Sequence, residues 1–221
     1  MAFPDMGGAG EVAELVARSL WISGTAVALA SSWSIPLTFL IVRYKALRPL
    51  LSFFEGLVGV PTVLVGLFLY DLICPKCPLG SLGLLYTPYA VVLGEALLVT
   101  PLIVATSHSA LNWAYQNYGE LARTFGADEV KALLASAAEV VEELAGSIAM
   151  AFSRAVGELG VALIVGGNIE GYTRTLSTAI ALYAQMGEYE KATELGLILT
   201  FLSVGTSFVV KRLSRGRPSR P

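Results

Sequence analysis

A chain of 221 residues that is 55% hydrophobic and only 14% charged is too apolar for an ordinary soluble domain, in which about 25% of residues carry charge. Its mean hydropathy of +0.67 points to a protein that lives in lipid. The net charge of −2 decides little, because in a membrane protein the placement of Lys and Arg matters more than their sum.

Met1 to Gly10 is acidic and Gly-rich and lacks the basic lead and short apolar core of a secretory signal. The first apolar segment is therefore expected to be retained. Five apolar stretches can be read: Leu15 to Val42, Phe53 to Ile73, Leu84 to Ser107, Ala145 to Gly166 and Leu195 to Val210. A helix rises about 1.5 Å per residue and the hydrocarbon layer is about 30 Å thick, so roughly 20 apolar residues make one span. Lipid offers the backbone no hydrogen-bond partner, and none of the stretches alternates as barrel strands do. The expected fold class is all-α: a polytopic bundle of about five transmembrane helices forming a single domain over residues 1–221.

Cytoplasmic connections collect Lys and Arg. Arg43, Lys45 and Arg48 come after the first stretch, Arg123 and Lys131 come after the third, and the tail from 211 to 221 carries Lys211, Arg212, Arg215, Arg217 and Arg220. These share one side if there are five spans. The other side then receives Asp5, Glu11 and Glu14, the loop with Cys74 and Cys77, and the acidic segment from Gly167 to Glu194. The expected topology has the amino terminus outside and the basic tail inside, in contact with water or lipid headgroups.

Cys74 and Cys77 stand in a Cys-Pro-Lys-Cys turn. In an external loop a local disulfide is expected. The alternative is a membrane thiol-redox protein, but no strand and helix pattern of a thioredoxin surrounds the pair. Two thiols and the distant, sole His108 do not make a usual four-ligand metal set. No metal, cofactor or nucleic-acid partner is expected.

The connection from Ala110 to Leu144 is too polar for a span and too long for a turn. Leu121 and Phe125 lie one helical turn apart within it, so short helices along the cytoplasmic face are expected, with something docking there. In the fourth stretch Arg154 and Glu158 are four residues apart. A continuous helix would put them on one face, where they could pair. Charges in hydrocarbon cost about 2.5–3.5 kcal/mol at a helix centre. The pair is read either as an internal ion pair that fixes packing or as part of a solute path. Gly157 and Gly160 permit close approach of another helix, which packing alone would explain. The helix is expected to end at Gly166 and Gly167, with Asn168 capping the next segment and a short re-entrant or surface helix over 173–184. Glu95, midway through the third stretch, is a further intramembrane carboxyl group whose partner the sequence does not name.

Taken in order, several strings resemble a known family. Tyr118-Gly119-Glu120-Leu121-Ala122-Arg123-Thr124-Phe125-Gly126-Ala127 is similar to the coupling motif of ABC importer permeases, with Glu120, Ala122 and Gly126 at the matching places. Phe152-Ser153-Arg154-Ala155-Val156-Gly157-Glu158-Leu159-Gly160 looks like the signature of molybdate, tungstate and sulfate permeases. The runs from Gly59 to Gly66, Gly80 to Pro88 and Val165 to Leu182 resemble the tungstate branch in particular. The resemblance covers roughly residues 50–210. It departs at Ala138 to Glu143, where the family usually places a Pro.

The resemblance implies a multi-pass permease of the cytoplasmic membrane, working as a homodimer with two ATP-binding subunits and an extracytoplasmic oxyanion-binding protein. Glu120, Leu121, Ala122, Phe125 and Gly126 would form the joint to the ATPase. Arg154, Gly157, Glu158, Gly160, Gly167 and Asn168 would belong to the translocation path or its gate. For an oxyanion, Arg154 would attract and Glu158 would repel. The chain has no Gly-x-x-x-x-Gly-Lys-Ser/Thr phosphate loop, so ATP hydrolysis is expected in a partner. Tungstate is the expected solute, with molybdate or sulfate as the alternative.

Overall fold

The computed structural model describes residues 9–214. The acidic lead of residues 1–8 and the tail of residues 215–221, with Arg215, Arg217 and Arg220, lie outside the described residues. Helices alone build the described chain: α1 (Ala9–Arg43), α2 (Arg48–Leu57), α3 (Thr62–Ile73), α4 (Pro88–Ala114), α5 (Glu120–Thr124), α6 (Glu129–Glu139), α7 (Val141–Val156), α8 (Gly160–Gly166), α9 (Leu176–Gln185) and α10 (Tyr189–Ser214). Three runs are long and apolar enough to cross a membrane alone, namely Gly10–Arg43, Pro88–Thr124 and Tyr189–Val210, and the pairs α2 with α3 and α7 with α8 raise the number to five if each pair is one span.

Two of the five expected stretches are thus broken rather than continuous. The second breaks at residues 58–61, where Pro61 precedes α3 and lacks the amide a running helix needs. The fourth breaks at residues 157–159. The third is longer than expected: α4 runs through a π-helical turn, Tyr115–Gly119, directly into α5. Along α10, Leu197, Phe201, Val204 and Phe208 are all exposed. They recur at helical spacing as one apolar stripe, which suits a helix facing lipid rather than water.

The chain folds as two compact units. The first comprises Met1–Ala26, Pro61–Glu95 and Val156–Leu202. In one of its cores Leu15 of α1 meets Leu176, Ala179 and Tyr183 of α9 and Ala192 and Leu195 of α10. In the other, Leu69 and Ile73 of α3, Ala90 of α4, and Val161 and Val165 of α8 pack together. Small residues set the spacing of this second core. A Cβ on Gly160 would lie 2.6 Å from Thr62 Oγ1 and 3.0 Å from the backbone nitrogen of Val63, and one on Gly66 would lie 3.2 Å from Ile164. Glycine on both α3 and α8 therefore lets the two backbones come close.

The second unit comprises Val27–Val60, Ala96–Ala155 and Ser203–Pro221. Leu111, Ala114, Val140 and Leu144 form its buried cluster, with Phe39 and Val42 of α1 packed against them. Ser153 of α7 and Ser207 of α10 hydrogen-bond at 3.1 Å.

Candidate functional site

The segment from Tyr115 to Glu139 forms a helical hairpin in the second unit. Helix α5 closes with a glycine-dependent turn: Gly126 donates its N–H to Arg123 O at 3.0 Å and Ala127 donates to Ala122 O at 3.0 Å. Gly126 sits at φ +86°, a left-handed conformation that glycine adopts without steric cost. Asp128 then accepts the Lys131 N–H at 2.8 Å and caps α6. Gly119 allows the hairpin to close, because a Cβ there would lie 2.6 Å from the Tyr115 ring and 3.0 Å from Ser136 Oγ.

The hairpin presents an apolar surface. Leu121, Phe125, Val130 and Leu134 are all exposed, Phe125 by 84%. Glu120 and Gly126 are also exposed, and Ala122 is half-buried. All five residues of the expected ATPase joint therefore lie on one short turn.

One carboxylate at the base of the hairpin was not singled out by sequence. Glu129 accepts from the Tyr115 hydroxyl at 2.7 Å and forms ion pairs with Arg43 at 2.5 Å and Arg123 at 3.7 Å. The Tyr115 hydroxyl first of all holds the Glu129 carboxyl below its ordinary value against the opposing effect of burial, with Arg43 and then Arg123 adding to the lowering. Its sequence signal was local: Asp-Glu two residues after a glycine marks a helix start.

The residues expected in the path fall in different places. Arg154 lies in the last turn of α7, in the second unit, and is exposed; Gly157 is in the break after α7 and is also exposed. Because α7 ends at Val156, the chain from Arg154 to Glu158 is not one continuous helix. Glu158, Gly160, Gly167 and Asn168 belong to the first unit. Glu158 is 2% exposed. Its Oε1 accepts the Val161 N–H at 3.1 Å and its carbonyl accepts the Ser177 hydroxyl at 2.6 Å. It thus satisfies an amide at the start of α8 and is held by the start of α9.

Gly167, at φ +71°, ends α8, and Asn168 comes next at φ +50°. Asn168 does not cap a helix; its Oδ1 accepts from Arg174 Nε at 3.3 Å. The capping role expected of it is taken by Thr175, whose side chain accepts the Thr178 N–H in a reciprocal capping box. Helix α9 is no surface helix: Leu176 and Ala179 are fully buried. Tyr86 sits at φ +61°, unusual for a bulky residue. Its N–H bonds to Val165 O at 2.8 Å, and its ring lies where a Cβ on Gly167 would come within 2.8 Å.

Glu95 of α4 is 1% exposed, and Ser23 of α1 hydrogen-bonds its carboxyl group. Cys74 and Cys77 form a disulfide in a tight turn, where Gly80 lies directly against the Cys74 carbonyl.

Long apolar helices and two broken helix pairs define an integral membrane protein. No protein-family model matches the chain. It is 35% identical to the tungstate uptake system permease protein TupB of Peptoclostridium acidaminophilum, over 92% of this chain and 90% of that protein. It is also 35% identical to the protein of the same name in Campylobacter jejuni, over 78% and 72% of the two chains. A probable anion ABC transporter permease protein of Haloferax volcanii is 32% identical, over 93% of this chain and 92% of the relative. The chain belongs to this family of anion-transporting ABC permeases, which includes the tungstate uptake permeases.

Proposed function

We propose that this protein is the membrane-spanning subunit of an ATP-driven tungstate importer in the cytoplasmic membrane, working by alternating access as a homodimer. The observation that carries the proposal is its 35% identity to a tungstate uptake permease over 92% of its length. Two separate ATP-binding subunits supply the energy, and an extracytoplasmic binding protein delivers the anion. The amino terminus lies outside and the hairpin of α5 and α6 inside.

The hairpin is the joint to the ATPase. Phe125, with Leu121 beside it, enters a groove on the nucleotide-binding subunit; Glu120 and Ala122 lie along the contact and Gly126 makes the reversal. Exposed apolar side chains on a short helix support this reading, since a helix in a groove gains affinity from such anchors. Arg154 draws the dianion toward the path. Gly157 gives the break between α7 and α8 its freedom, while Glu158, Gly160, Gly167 and Asn168 fix the two ends of α8 as a gate element.

Purification of the permease with its ATPase, and then addition of the binding protein with and without tungstate, tests the assignment. The expected result is hydrolysis stimulated by the tungstate-loaded form. Competition by molybdate and sulfate measures the selectivity. If molybdate or sulfate stimulates while tungstate does not, the solute is reassigned; if no ATPase is recruited, the importer reading fails.

A further inference from the structure

Helices α5 and α6 have little buried side-chain surface of their own. Helix α5 buries no residue, and α6 buries only Ala132 and Ser136. Two small side chains remove little apolar surface from water, and such burial stabilises in proportion to area, at roughly 25 cal/mol per Å². Phe125, Val130 and Leu134 all point away from the unit. Polar ties therefore matter more here than in the spans.

Those ties converge on one side chain. Glu129 contacts Arg43 at the end of α1, Tyr115 in the π turn below α4, and Arg123 on α5. Arg43 also stacks on Tyr44, its guanidinium 5.2 Å from the ring centre, which fixes the cation where α1 ends. The ion pair of Lys131 with Asp128, by contrast, is local to the start of α6. Glu129 is thus where the hairpin, the third apolar stretch and the first apolar stretch meet.

We propose that Glu129 is a positioning residue that transmits movement of the hairpin to α1, so that nucleotide-driven displacement of α5 reaches the first span through this carboxylate. The proposal rests on the reading of the hairpin as the ATPase joint. A rigid, charge-assisted tie suits the task, because hydrogen bonds to charged groups are about twice as strong as neutral ones. Without it, the hairpin and α1 would still share the apolar cluster that Tyr118, Ala137, Phe39 and Val42 pack against, but the charged tie between them would be lost and less of the hairpin's movement would reach α1. Hydrolysis would then continue and transport would fall.

The test uses the complete transporter in proteoliposomes, with ATP hydrolysis and tungstate uptake measured together. Glu129→Gln and Tyr115→Phe are compared with the wild type and with the exchange of charges, Arg43→Glu with Glu129→Arg. Expected results are normal copurification of the ATPase with Glu129→Gln and at least about a fivefold loss of tungstate moved per ATP, the lower end of ordinary coupling between sites. Tyr115→Phe, which leaves both charges in place, should give a smaller loss in the same ratio. The exchanged pair should move more tungstate per ATP than either Arg43→Glu or Glu129→Arg alone. An unchanged ratio in Glu129→Gln and Tyr115→Phe overturns the proposal while leaving the joint intact, as does an exchanged pair no better than its singles. A wild-type permease that recruits no ATPase overturns the joint and this proposal with it.

Discussion

The hydroxyl of Ser19 on α1 accepts the backbone N–H of Leu176, the first residue of α9, at 2.8 Å, across 157 residues of sequence. The same oxygen donates to Leu15 O at 2.9 Å. The first amides of a helix have no partner within the helix, and both residues are buried. Ser19→Ala should therefore leave a buried donor unpaired and destabilise the protein by about 1–3 kcal/mol. Thermal unfolding in detergent should show a lower midpoint for Ser19→Ala and an unchanged one for Ser32→Ala, whose hydrogen bond is exposed.

Close approach of α3 and α8 predicts a contrast between glycines. Gly160→Ala meets Thr62 Oγ1 and the Val63 backbone, whereas Gly146→Ala meets nothing within 4 Å. Overpacking of this kind costs about 1–3 kcal/mol. Alanine at position 146, inside α7, should be neutral or stabilising by up to about 1 kcal/mol. Equal melting temperatures for the two variants would contradict the packing described for the first unit.

At Gly126 the constraint is conformational, since a Cβ there finds open space but the backbone is left-handed. Gly126→Ala should loosen the reversal at a cost of about 1–2 kcal/mol. Gly126→Asn, which tolerates that region better, should retain more. Protease cleavage between α5 and α6 should therefore be faster in Gly126→Ala than in Gly126→Asn, and the reverse order would disprove the assignment.

The depressed titration of Glu129 gives a pH dependence with a definite sign. A carboxyl group whose value is lower in the folded state stabilises it above the unfolded value and loses that contribution as pH falls. Amide exchange in α6, corrected for its intrinsic pH dependence, should be steady at neutral pH and should accelerate as pH drops below the ordinary glutamate value of 4.5. Asp128, held low first by the backbone of Lys131, acts in the same direction. Loosening of α6 on raising the pH from neutral would refute the role given to this cluster.

Much of the fold was legible because lipid leaves the chain few choices. Five apolar stretches had to be helical, and Gly166 with Gly167 marked a helix end correctly. The breaks were harder to see. Gly-Val-Pro at residues 59–61 carries a local signal for one break, but the end of α7 at Val156 has none beyond Gly157, so Arg154 and Glu158 looked like neighbours on one helix. The length of the helix was hidden by the polar residues after Ala110, which end the apolar run and not the helix. Contacts such as Ser19 with Leu176 depend on tertiary packing, which no local pattern records. That Glu120, Leu121, Ala122, Phe125 and Gly126 lie close together was legible because they fall within seven positions; the ties of Glu129 were not, because one of them comes from Arg43, 86 residues earlier.

In the proposed importer, Phe125 enters a groove on a nucleotide-driven partner. The sequence contains two cysteines, and these are joined to each other, so Phe125→Cys introduces a single free thiol. The direct measurement is crosslinking of that thiol to the ATPase subunit in membranes, with and without ATP, against Leu82→Cys, an exposed position in the loop assigned to the outside. The expected result is a strong, nucleotide-sensitive crosslink from position 125 and none from position 82. A crosslink from 82, or equal silence from both in a complex that hydrolyses ATP, would contradict it.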